Sequence, residues 1–194
     1  FFLAGITPKA LMGEIALHAL LALTGAWLLA RRRLGDGPAA VTAVAYAFSG
    51  YFAGHATHLG MFQSAAWLPW LLHGLDRSID TGRLRTMLLT GAGAACMFLA
   101  GHFQSALYIF AAMALYAAVA GWQRRQWKAP LAALAIAGGV TILLSAIQLL
   151  PTAELVRNST RAGVQFSDQT VAPLEHRALW TLISPNHYGS VRGP

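Results

Sequence analysis

The cations of this chain are not scattered. Nine lysines and arginines fall in three clusters: Arg31, Arg32 and Arg33, then Arg77, Arg83 and Arg85, then Arg124, Arg125 and Lys128. Each cluster occupies every second gap between long apolar runs, and the short gaps at 55–64 and 101–102 contain neither Lys nor Arg. An apolar run that crosses a bilayer places its two ends on opposite sides, and short loops retained on the cytoplasmic side collect Lys and Arg. The alternation therefore predicts a chain that crosses repeatedly, with the three basic loops cytoplasmic and the cation-free loops facing outward.

Composition agrees. Only 11% of the 194 residues are charged and 56% are hydrophobic, against roughly 25% charged in a soluble domain. The mean hydropathy is +0.51. A net charge of +7 would suit a nucleic-acid partner, but the cations lie between apolar runs and form no aromatic-basic stripe, so no nucleic acid is expected. Cys96 is the single cysteine, which excludes an intrachain disulfide. The opening "FFLAGITPKA" has neither a basic segment nor a small-residue cleavage site, so it is not expected to be a signal peptide. Without an initiating methionine the chain reads as an internal fragment of a longer protein.

Six spans are expected, near 10–30, 39–54, 65–76, 86–100, 103–121 and 129–150, the last closed by Pro151 because proline cannot continue a helical ladder. The fold class is all-α: a polytopic membrane bundle over 1–151, followed by an extracytoplasmic loop segment over 152–194 with a short helix around 174–183. The second and third runs are shorter than the roughly 20 residues that a crossing needs. They are expected to leave a recess where polar groups line a cavity instead of lipid.

Polar residues gather on the outward side. "HATHLGMFQ" (55–63) carries His55, His58 and Gln63, and "GHFQSALY" (101–108) carries His102, Gln104 and Tyr108. Beyond Pro151, Glu154, Arg157 and Arg161 repeat at i, i+3 and i+7, one face of a helix. These nine residues are the expected substrate-binding set. No metal site is expected: three histidines at 55, 58 and 102 do not by spacing define zinc geometry, and Glu154 alone makes a poor magnesium site. Glu14 and His18, four apart within the first span, are either a mutually satisfied pair or a functional one.

Several features have plain structural readings. Gly91, Gly93, Gly138 and Gly139 are expected to let helices approach closely. Trp67, Trp70, Trp122 and Trp127 fit an aromatic belt. The arginine triplet suits anionic lipid, yet topology alone accounts for it. "NST" at 158–160 matches a glycosylation acceptor, and no phosphate-cradling or dinucleotide fingerprint occurs.

Four stretches in order resemble the bacterial YfhO-like membrane proteins. They are "YAFSGYFAGHATHLGMFQSAAWLPWLLHGLDR" (46–77), "GHFQSALY" with Phe103 where that family usually has proline, "LLPTAELVRNSTR" (149–161) and "SPNHYGS" (184–190). The resemblance implies a GT-C-class glycosyltransferase-like protein that takes a sugar from a polyprenyl-phosphate lipid and passes it to a cell-envelope polymer on the outer face. It leaves the cofactor open, a divalent metal being compatible with the class but not indicated by these residues, and it implies the bacterial cytoplasmic (inner) membrane. The catalytic aspartate of such enzymes lies in the first outward loop and is expected upstream of this stretch, so no residue here inherits that role. Arg157 and Arg161 are then the expected phosphate contacts. Two other readings fit the residues: a transporter or lipid-linked sugar flippase that uses Glu14 and His18 for proton coupling, and a non-catalytic assembly subunit.

Overall fold

The computed structural model describes residues 7–159, 176–184 and 187. Among the described residues it is helical and contains no strand. Seven α-helices follow in order: α1 Pro8–Leu34, α2 Asp36–Ala47, α3 Gly50–Gly54, α4 Leu59–Thr81, α5 Leu84–Leu99, α6 Phe103–Gln123 and α7 Lys128–Arg157, with a 3-10 segment at His176–Leu182. Three of them, α1, α6 and α7, are long and apolar enough to cross a membrane. The chain divides into two units, Phe1–Leu149 and Leu150–Pro194.

Within the first unit α4 is the hub, packing against α1, α5 and α6. One core sits where Leu71 and Leu75 of α4 meet Met97 of α5 and Met113 of α6. A second joins Ala22, Ala47, Phe52, Phe62 and Ala66. Gly25 lies directly under the Trp70 ring, whose Nε1 donates to the Leu21 carbonyl at 2.8 Å, so the absence of a side chain on α1 admits an indole from α4. Gly91 and Gly93 do allow close packing, against Ala137 of α7 and Trp67 of α4 respectively. Gly138 and Gly139 do not: a side chain at either would meet nothing within 4 Å.

Element boundaries depart from the sequence expectation in four places. Arg31, Arg32 and Arg33 do not form a loop but finish α1, where cations face the negative end of the helix dipole. The second run is broken, α2 ending at Ala47 and α3 restarting at Gly50. The third is a 23-residue helix rather than a short segment, and it takes in Leu59–Gln63 from the expected loop. Finally, α7 continues through Pro151 to Arg157.

The length of α4 is the instructive case. Pro69 is buried in its interior and has no N–H for the carbonyl four residues earlier, Ala65. That carbonyl accepts instead from the Tyr46 hydroxyl of α2 at 2.8 Å. A tertiary bond thus stands in for the missing helical one. Tyr46→Phe is expected to destabilise the bundle by about 1–3 kcal/mol, because it leaves a half-buried carbonyl unsatisfied. Thermal unfolding in detergent measures this, and an unchanged midpoint would mean that water or Pro69 itself accommodates the loss.

Candidate functional site

The two cation-free turns meet. His58 immediately precedes α4 without a side-chain bond to its first turn, and the His102 side chain caps the start of α6. A β-carbon at Gly60 would stand 3.0 Å from the Ala100 carbonyl oxygen and 3.3 Å from His102 Cβ, so α4 begins against the α5–α6 turn. Gly101 makes that turn with φ +82°, a conformation glycine adopts without strain.

Beside them lies a cavity of 290 Å³ lined by Ser49, Tyr51, Ser105 and Tyr108 over an apolar floor that includes Phe52 and Ile109. The histidines stand behind two of these lining residues. His55 stacks on Tyr51 with ring centroids 4.4 Å apart, and its Nδ1 lies 2.8 Å from the Tyr51 carbonyl oxygen. A carbonyl only accepts, so Nδ1 carries the proton and the neutral ring keeps a lone pair on Nε2. His102 is the opposite case. Its Nδ1 accepts from the Ser105 amide at 3.1 Å and lies 2.8 Å from Ser105 Oγ. Neutral His102 therefore carries its proton on Nε2, as a donor. Two imidazoles near one cavity thus present opposite hydrogen-bonding roles, set by the carbonyl and the amide their other nitrogens meet.

Gln104 donates to the Tyr108 hydroxyl at 2.8 Å, one helical turn on. His58 is exposed, with its Nδ1 3.3 Å from Thr57 Oγ1 and its ring 6.0 Å from that of His55. Gln63 belongs elsewhere. Its Nε2 donates to Glu14 Oε1 at 2.7 Å, and His18 Nδ1 lies 3.3 Å from the same oxygen. The Glu14–His18 pair therefore has a third member from α4, which spacing on α1 could not reveal. Glu154 and Arg157 are exposed on the last turns of α7, in the second unit. Arg161 lies outside the described residues, as does most of "SPNHYGS". Among the described residues no group of three or more His, Cys, Asp or Glu is placed to hold a metal ion.

At the other end of the first unit the structure assembles a cluster that sequence reasoning missed. Asp76 is only 2% exposed. It accepts hydrogen bonds from Arg33 Nη2 at 3.2 Å and the Tyr116 hydroxyl at 2.6 Å, and it forms an ion pair with Arg32, whose Nε lies 2.8 Å away. Arg33 Nη2 also donates to Tyr116 Oη at 2.8 Å. Asp80, one turn along α4, pairs with Arg32 and with Arg124 at 2.6 Å. The arginines that mark topology are thus also the partners that hold α1 and the end of α6 to α4. The signal available in the sequence was the pair of aspartates at i and i+4 closing an otherwise apolar helix.

A family model described as bacterial membrane protein YfhO matches residues 8–190. No curated protein and no solved structure matches the chain.

Proposed function

The chain belongs to the bacterial YfhO membrane protein family, and from this we propose that it forms part of a glycosyltransferase-like enzyme of the GT-C class. The reaction would move a sugar from a polyprenyl-phosphate lipid to a hydroxyl of a cell-envelope polymer on the outer face. The observation that supports this reading best is the cavity flanked by His55 and His102, at the end of the bundle opposite the basic clusters. Transfer needs a donor to the charge that develops on the departing phosphate and an acceptor for the proton of the attacking hydroxyl. His102 Nε2–H suits the first need. His55 Nε2 suits orientation of the incoming hydroxyl, while the catalytic carboxylate is assigned to a segment upstream of this stretch. Tyr108, held by Gln104, lines the sugar pocket, and His58 lies at its rim. For Arg157 and Arg161 the proposed role is recognition of a phosphate, whose oxygens a guanidinium fork matches bidentately, and for Glu154 orientation of one of these arginines.

The test follows label from a radiolabelled polyprenyl-phosphate sugar into envelope polymer in membranes that contain the full-length protein. His102→Ala is expected to lower transfer by roughly tenfold or more, and Arg161→Ala to abolish most of it, whereas Trp122→Ala at an exposed position stays near wild type. Because His102 also caps α6, His102→Asn is the sharper variant: asparagine keeps a capping oxygen but lacks the Nε2 donor. Full activity in His102→Asn would remove the assigned role. The network of Glu14, His18 and Gln63 favours one competing reading, proton-coupled movement of the lipid-linked sugar. Label that changes leaflet without leaving the lipid, and depends on Glu14, would establish that alternative.

A further inference from the structure

A second cavity, of 360 Å³, runs between α1 and α4 and is closed by α2 and α6. Its walls are apolar: Ala26 and Ala30 of α1 face Leu68 and Leu72 of α4. Ala26, Ala30 and Arg33 share one face of α1 and span about 10 Å along it. Only the end nearest Asp76 is charged, and there Arg33 and Tyr116 line the opening.

Arg33 is held but not used up. Its Nη2 is committed to Asp76 and Tyr116, and the Tyr116 hydroxyl is in turn spent on Asp76. A guanidinium has five N–H donors. Among the described residues none accepts from Arg33 Nε or Nη1, and the side chain is 64% exposed. The surrounding cluster sets three guanidiniums, Arg32, Arg33 and Arg124, against two carboxylates, Asp76 and Asp80. One positive charge is left over, and Arg33 is the most exposed of the three guanidiniums, at 64% against 37% for Arg124 and 22% for Arg32, and the one that lines the cavity.

We propose that this cavity is a binding site for an anionic phospholipid in the leaflet on the arginine side of the membrane, which the charge alternation assigns to the cytoplasm. One acyl chain lies between α1 and α4, and the headgroup phosphate meets Arg33. The volume falls within the ~300–1,000 Å³ of small-ligand sites, and an apolar slot with a single guanidinium at its mouth matches the layout of a lipid rather than that of a soluble anion. The site is independent of glycosyl transfer. Its consequence is structural: a lipid seated there packs on α1 and α4 together and neutralises the surplus charge of the cluster that joins them.

The experiment is native mass spectrometry of the full-length protein released from detergent, with phosphatidylglycerol or phosphatidylcholine added. Wild type is expected to retain the first phosphatidylglycerol roughly tenfold more tightly than phosphatidylcholine, because both carry the phosphate but the choline cation of the latter is repelled by the surplus positive charge of the cluster. Arg33→Gln should erase the preference, and Ala30→Phe, which fills the slot while keeping every charge, should weaken both lipids. Arg85→Gln, an exposed cation on α5, should behave as wild type. Equal retention of the two lipids by wild type would overturn the proposal. So would an undiminished preference in Arg33→Gln, wild-type retention by Ala30→Phe, or an equal loss in Arg85→Gln, which would mean diffuse surface charge. Displacement of the lipid by inorganic phosphate would likewise overturn it, since the acyl chain would then contribute nothing.

Discussion

Asp76→Ala is expected to destabilise the first unit by about 3–5 kcal/mol, more than most single substitutions cost. The magnitude is that of removing one partner from a buried ion pair, because the charges left behind lose their compensation. At Asp76 the loss is shared. Arg32, Arg33 and Tyr116 all point at one carboxylate that is almost fully enclosed, and α1 and α6 are joined to α4 through it. Asp80 provides the internal control. Its side chain is about one-third exposed, and water can replace it around Arg32 and Arg124, so Asp80→Ala is expected to cost under about 1 kcal/mol. Asp76→Asn should fall between the two, retaining an acceptor for the Tyr116 hydroxyl but no charge for the guanidiniums. The measurement is thermal unfolding of the purified full-length protein in detergent, read by tryptophan fluorescence. If Asp76→Ala and Asp80→Ala shift the midpoint equally, burial is not what gives Asp76 its weight.

The second large effect is expected at Gly91, where α5 lies against α7. A β-carbon at 91 would sit 2.6 Å from the Ala137 carbonyl oxygen and 2.7 Å from Val140 Cβ. The first of these contacts is backbone and cannot rotate away. Thr141 Oγ1 spans the same contact, donating to the Gly91 carbonyl at 3.1 Å and to the Ala137 carbonyl at 2.8 Å. Gly91→Leu must therefore push the helices apart, at about 1–3 kcal/mol for overpacking plus about 1 kcal/mol for the interhelical bond. Gly91→Ala should show a smaller loss in the same direction. Gly138→Ala, by contrast, meets nothing within 4 Å and is expected to be neutral or to stabilise by up to about 1 kcal/mol through helix propensity. The same melting experiment separates these outcomes. A Gly138→Ala loss as large as that of Gly91→Ala would mean that backbone conformation rather than helix contact dominates at both.

Of the candidate site, the part within one helix or turn was legible. Gln104 and Tyr108 are four apart on a helix, and the structure joins them by a hydrogen bond. His102 at the start of an apolar run is a helix cap. What spacing could not supply was the partner from another element. Gln63 was grouped with His55 and His58 by chain proximity, yet it turns to Glu14 on α1, because α4 begins at Leu59 and carries Gln63 onto a helical face. The opposite roles of His55 and His102 depend on which backbone group each Nδ1 meets, a matter of loop geometry with no trace in composition.

Hydropathy and charge by themselves determined that this is a helical membrane chain, because an apolar run must satisfy its own backbone in lipid and only the helix does so within one segment. They also determined the approximate location of the helices and the alternation of basic and cation-free ends, while the family was carried by four motif stretches in order. Tertiary structure decided the rest. Pro69 reads as a helix breaker until the Tyr46 hydroxyl is seen to satisfy the Ala65 carbonyl. The basic clusters read as topology signals until Arg32, Arg33 and Arg124 are seen around Asp76 and Asp80. The physical reason is the same in both cases: propensity and hydropathy are properties of neighbours along the chain, whereas a buried polar group is satisfied by whatever the packing of separate helices brings within about 3 Å of it.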